Sequence, residues 1–109
     1  MLSEIVAALP FSVRETRFLK PPPTTYGVYQ IDESHYGCDR HLGLCRQDIT
    51  FFMVEYAPDD AAEAALESEL ARHGIPYDKQ ARMWIESEKM YETIYNFTIY
   101  KKTEVKHHG

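Results

Sequence analysis

Two stretches of the chain repeat apolar residues at helical spacing, and three others alternate them as strands do. Leu2, Ile5, Val6 and Leu9 line one face of a short helix over 2–9, with Ser3 as its N-cap and Pro10 as its stop. Ala62, Ala65, Leu66, Leu70 and His73 line one face of a longer helix over 59–73, with Glu63, Glu67 and Arg72 turned elsewhere. That helix opens on Pro58-Asp59-Asp60, where Asp60 and Glu63 have capping-box spacing. It closes on Gly74, with Ile75 placed to pack back on the last turn.

Between and after the helices the period changes to two. Phe11 to Leu19 reads as an extended segment, and Pro21-Pro22-Pro23 as a stiff polyproline link. Tyr26 to Glu33 alternates as a strand, and Ser34 to Gly43 reads as a loop. Ile49 to Ala57 is apolar on both faces, the pattern of a central strand covered on both sides, or on one side by a neighbouring subunit. Lys79 to Ile85 and Met90 to Lys101 form a hairpin around the polar turn Glu86-Ser87-Glu88-Lys89. The expected fold is α+β: a two-layer sandwich with a mostly antiparallel sheet, carrying the N-terminal helix and the 59–73 helix on one face. Residues 1–102 make a single domain and 103–109 a frayed tail.

Composition narrows the function. The chain has 109 residues, 44% of them hydrophobic, with eight Tyr and five Phe, which suits one aromatic-rich, sheet-based core. A net charge of −5 argues against nucleic acid as a specific partner, since phosphate binding needs a basic surface. No apolar run reaches the ~20 residues of a membrane span, and Met1-Leu2-Ser3-Glu4 lacks the basic start of a secretory signal. Two cysteines are too few for a disulfide framework, which places the protein in a reducing cytoplasm, where a Cys38–Cys45 disulfide is disfavoured.

His35, Cys38, His41 and Cys45 are the residues best suited to hold a metal. Zinc takes four such imidazole and thiolate ligands, and intervals of two and three residues suit ligand pairs. Against this, structural zinc sites usually join two well-separated pairs, so a polar turn with two free thiols is the simpler reading. A nucleophilic Cys38 served by His35, His41 and Asp39 lacks support, because catalytic partners usually converge from distant segments. The carboxylates read as solvated or as helix-start acids, and the glycines never form a phosphate loop. The chain therefore reads as a protein without catalytic residues or a cofactor, zinc being the exception to test. Phe52, Val54, Tyr56, Met90 and Ile94 are apolar positions that one helix layer leaves over, and they mark an assembly interface.

Taken together, the Tyr26-Gly27-Val28-Tyr29-Gln30-Ile31 strand, Phe51-Phe52-Met53-Val54-Glu55-Tyr56, the Pro58-Asp59-Asp60 turn, Ile75-Pro76-Tyr77-Asp78-Lys79 and Ile85 to Phe97 resemble a phage family. This is the tail-terminator and tail-completion family of phage and prophage neck modules, and the resemblance runs over residues 2–101. It implies a structural, non-enzymatic ring subunit at the head–tail junction, with a hexamer favoured. It also implies tail-tube and connector proteins as partners, and passage from the host bacterial cytoplasm into the virion. Another minor capsid or head-completion role fits the same pattern. Relatives in this family carry a polar or acidic loop where this chain has Gly37-Cys38-Asp39-Arg40-His41, so a small zinc-binding interaction module is the alternative.

Overall fold

The computed structural model describes residues 1–33, 38–39 and 43–102. The elements run α1 (Leu2–Ala8), β1 (Ser12–Glu15), β2 (Tyr26–Asp32), β3 (Cys38–Asp39), β4 (Leu44–Glu55), α2 (Asp60–Arg72), β5 (Tyr77–Lys79), β6 (Met83–Ile85) and β7 (Met90–Lys102). This is the expected α+β class, with two helices and a mostly antiparallel sheet among the described residues. Strand order is β1-β2-β4-β7-β5, with β3 also paired to β4 and β6 also paired to β7. Only the β1–β2 pair is parallel among the described pairs.

The central pair β4–β7 is in register from Leu44↔Lys102 to Glu55↔Tyr91 without interruption. Alternation therefore sends every odd-numbered residue of both strands to one face. Ile49, Phe51, Met53, Tyr95, Phe97 and Ile99 share a buried cluster there with Ile5 and Leu9 of the first helix and Ala62, Leu66 and Leu70 of the second. Each large apolar side chain fully buried in this set contributes roughly 1.5–3 kcal/mol. Gly27 of β2 lies on the same face and leaves room for the Phe51 ring, whose Cε1 would sit 2.8 Å from a Cβ at that position.

Several boundaries differ from the sequence expectation. The first helix has Met1 rather than Ser3 at its N-cap, with no side-chain cap. The N-cap of α2 is Asp59, whose carboxylate accepts the Ala62 amide at 3.0 Å, so the Asp60–Glu63 capping box does not form. Its C-terminus ends as expected: Gly74 has φ 68°, its amide reaches Ala71 O, and the Ile75 amide reaches Leu70 O at 2.9 Å. That double bond is the Schellman arrangement, and Ile75 is buried beside it.

The expected strand from Lys79 to Ile85 is two strands. Four residue steps from Lys79 to Met83 face three steps from Tyr95 to Glu92, so residues 80–82 form a bulge with one extra residue. The Gln80 amide keeps its bond to Ile94 O across the gap. The proline segment folds back on the even-numbered face: Pro22 O accepts the Tyr56 hydroxyl at 2.9 Å, and Phe18 stands edge-on to Tyr26 with centroids 5.2 Å apart.

Candidate functional site

Where the turn into α2, the bulge and the central strands meet, the odd-numbered face changes from apolar to charged. Glu55 ends β4 on that face and is fully buried, and Glu63, one turn into α2, is only 5% exposed. Both carboxyl groups lie against the Arg82 guanidinium. The second Glu55 oxygen accepts the Asp59 amide at 2.6 Å, and the Thr93 hydroxyl points at Glu55 from β7 at 3.4 Å. Asp59 in turn accepts the Thr25 hydroxyl at 2.6 Å, tying the segment before β2 to the helix start.

The bulge supplies the cation. Arg82 bonds Glu63 through two guanidinium nitrogens and Asp60 at 2.7 Å, and its Nε lies 3.5 Å from Glu55. Lys79 sits one turn further along and bridges Glu63 and Glu67, at 2.9 Å each. Glu67 also accepts the hydroxyls of Tyr77 and Tyr95, again at 2.9 Å. The polar flank of α2 thus faces the β5–β7 side of the sheet rather than solvent.

Burial pushes the Glu55 carboxyl up to about 7, with the nearby Glu63 charge adding to the rise and the Asp59 amide and Arg82 opposing it. Burial also disfavours the Glu63 charge, but hydrogen bonds from Lys79 and Arg82 outweigh it and hold Glu63 below the ordinary carboxylate range. Burial, then the bond to Glu67, raises the Tyr95 phenol further, so it stays a donor. Replacing Tyr95 with Phe removes one donor from Glu67 and keeps the ring. The expected loss is about 1 kcal/mol, read as a lower urea midpoint at unchanged slope.

Two large grooves flank the sheet, and one of them reaches the Thr25–Asp59 end of this network. One, of about 570 Å³, runs between Pro10–Ser12, Thr24–Thr25 and the start of α2. The other, also about 570 Å³, lies between Leu2–Glu4 and the far end of the sheet at Gln47 and Ile99. The cluster fastens α2 and its cap to the sheet and to the bulge. The reading of the α2 acids as helix-start or solvent-facing groups is corrected for Glu63 and Glu67, and the solvated reading stands for the exposed Glu86 and Glu88 of the hairpin turn. Sequence spacing gave no sign of the cluster, because its members come from four separated segments. The available signal was a carboxylate, Glu55, at an inward position of the most apolar strand.

Of the zinc candidates, His35 and His41 lie outside the described residues. Cys45 is buried on β4, directly opposite Cys38 in the register. It is disulfide-bonded, which corrects the expectation of free thiols. In that state it offers no thiolate to a metal. No group of three or more potential metal ligands occurs among the described residues.

The five positions expected at an interface gather on the even-numbered face. Phe52 pairs with Ile94 and with Val28, while Val54 pairs with Glu92 and Tyr26. Val54 is buried, Phe52, Met90 and Ile94 are half-buried, and Tyr56 is 40% exposed and hydrogen-bonded to Pro22. Beyond this apolar patch the same face becomes polar, with Thr50 donating to Asn96 and Thr98 to Asp48. No helix among the described residues is long and apolar enough to cross a membrane. No protein-family model matches the chain, and none of the curated proteins is similar to it.

Proposed function

We propose that this chain is a non-enzymatic structural subunit of virion assembly, a tail-terminator-like ring-former at the head–tail junction of a phage or prophage. In this reading the fold is a two-layer sandwich. Its helices cover the odd-numbered face of the sheet, and the patch of Val28, Phe52, Met90 and Ile94 on the other face is buried by a neighbouring copy. That half-buried apolar row, with the proline segment covering only one end, is the observation that carries the proposal. The family resemblance over residues 2–101 gives the assembly its identity, and heterologous contacts between such patches and a second surface close into a ring. A hexamer is the expected closure, with tail-tube and connector proteins as partners, in the host bacterial cytoplasm and then in the virion.

Native mass spectrometry over a range of concentrations tests this. The wild-type chain is expected to form a closed oligomer, six copies by preference, without metal mass. Phe52→Ser combined with Ile94→Ser should return it to monomer while the far-UV circular dichroism stays native. An oligomer indifferent to that double change would remove the patch from the interface. A monomer carrying one zinc per chain would replace this reading with the zinc-binding module.

A further inference from the structure

The sheet ends on two strands whose outer edges pair with nothing among the described residues, β1 on one side and β5 on the other. Ladder parity fixes which backbone groups those edges offer. The Thr16 amide reaches Tyr29 O, so even-numbered residues of β1 bond β2, while Val13 and Glu15 turn their amides and carbonyls outward. The Gln80 amide reaches Ile94 O in the register of β5, so Asp78 bonds β7, while Tyr77 and Lys79 turn outward. We propose that a second copy of this chain adds its β5 edge to the β1 edge, with Asp78 of one copy set against Arg14 of the other.

Direction and register both follow from the fold. β1 runs with β2 and β7, and β5 runs against them, so copies in the same orientation bring the two edges together antiparallel. Setting outward residues opposite one another pairs Val13 with Lys79 and Glu15 with Tyr77. Arg14 then falls directly opposite Asp78, in a non-hydrogen-bonded pair, where facing side chains come closest. Both side chains belong to the even-numbered face, Arg14 beside Val28 and Asp78 beside Asn96. Next to Arg14 lies a groove of about 240 Å³, lined also by Arg17, Phe18, Leu19 and Lys20. Arg14, Arg17, Lys20 and Asp78 are exposed, and none of them joins an ion pair among the described residues. The acid of one edge thus meets a basic groove on the other.

Charge also selects between the possible pairings. In the register that uses both outward residues of each strand, β1 against β1 opposes two Arg14 side chains, and β5 against β5 opposes two Asp78 side chains. Like charges directly opposite destabilise a strand pair and unlike charges stabilise it. Each edge therefore rejects itself and accepts the other. The contact is head-to-tail, uses one edge of each kind per copy, and closes into a ring where the rotation between copies allows. It rests on the self-association proposed above, but uses a surface apart from the patch around Phe52 and Ile94.

Charge reversal on the intact chain tests this, with association followed by sedimentation and by amide hydrogen exchange. Arg14→Asp and Asp78→Arg should each weaken self-association about tenfold. The double reversal, and an equal mixture of the two single variants, should restore it. In the wild type the amides of Val13, Glu15 and Lys79 should gain protection as concentration rises. Single variants that associate as the wild type does, a double reversal that stays weak, or edge amides indifferent to concentration would overturn the strand contact. Phe52→Ser with Ile94→Ser separates this contact from the patch. Association lost there but untouched by the charge reversals keeps the patch and removes the edge contact; the opposite result keeps the edge contact and removes the patch.

Discussion

Replacing Arg82 with Met is expected to destabilise the protein by about 3 kcal/mol at neutral pH, the low end of the range for removing one partner of a buried pair. The low end applies because the guanidinium keeps 27% exposure while Glu55 has none. Met preserves most of the aliphatic stem, so packing changes little and the loss reports the charge. Asp60 loses its partner as well, but it is almost fully exposed and water replaces the contact. Arg82 lowers the Glu55 value from the height that burial alone would give it. Without it both carboxyls titrate higher, and the penalty for ionising the pair grows. The destabilisation should therefore be larger at pH 8 than at pH 5, where the pair still holds a proton. Thermal unfolding at the two pH values measures this, and ~3 kcal/mol corresponds to a fall on the order of 15 °C for a domain of this size. Equal losses at both values would mean that Arg82 acts through packing and not through the carboxyl pair.

Gly27→Ala is expected to have the second large effect, about 1–3 kcal/mol from overpacking. The added methyl would meet Phe51 Cε1 at 2.8 Å, Cζ closer still, and Phe11 Cε2 at 3.3 Å. Phe51 is 1% exposed and sits within the buried cluster, so its ring has nowhere to turn without moving the core. Phe51→Leu shortens that ring and should recover part of the loss in a double-mutant cycle, since the two residues couple directly. Gly74→Ala is the contrast. A Cβ there meets nothing within 4 Å, so the expected penalty of about 1 kcal/mol comes only from the left-handed backbone at φ 68°. Urea midpoints for the variants separate a steric cause from a conformational one. If Gly27→Ala were no worse than Gly74→Ala, the close approach at Phe51 would be less constrained than the packing indicates.

Local chemistry was legible along the chain wherever a residue and its neighbours in sequence decide the outcome. The α2 helix ends where Gly74 and Ile75 announce it, because the Schellman bonds join residues five or fewer apart. Period-two alternation marked β2, the core of β4 and β7, since the pleat itself enforces it. It also placed Phe52, Val54, Met90 and Ile94 on one face. What required the tertiary structure was everything that depends on which segments become neighbours. An aspartate caps α2 as the sequence indicates, but it is Asp59, and Glu63 is held by Arg82 and Lys79 instead of closing a capping box. The 79–85 strand broke at a bulge because β7 carries one fewer residue over the same span. The polar cluster brings β4, α2, the bulge and β7 to one point, so its burial and its shifted acidity exist only once those elements pack. Sequence decides which face of an element is apolar; long-range pairing decides which charges are taken out of water together.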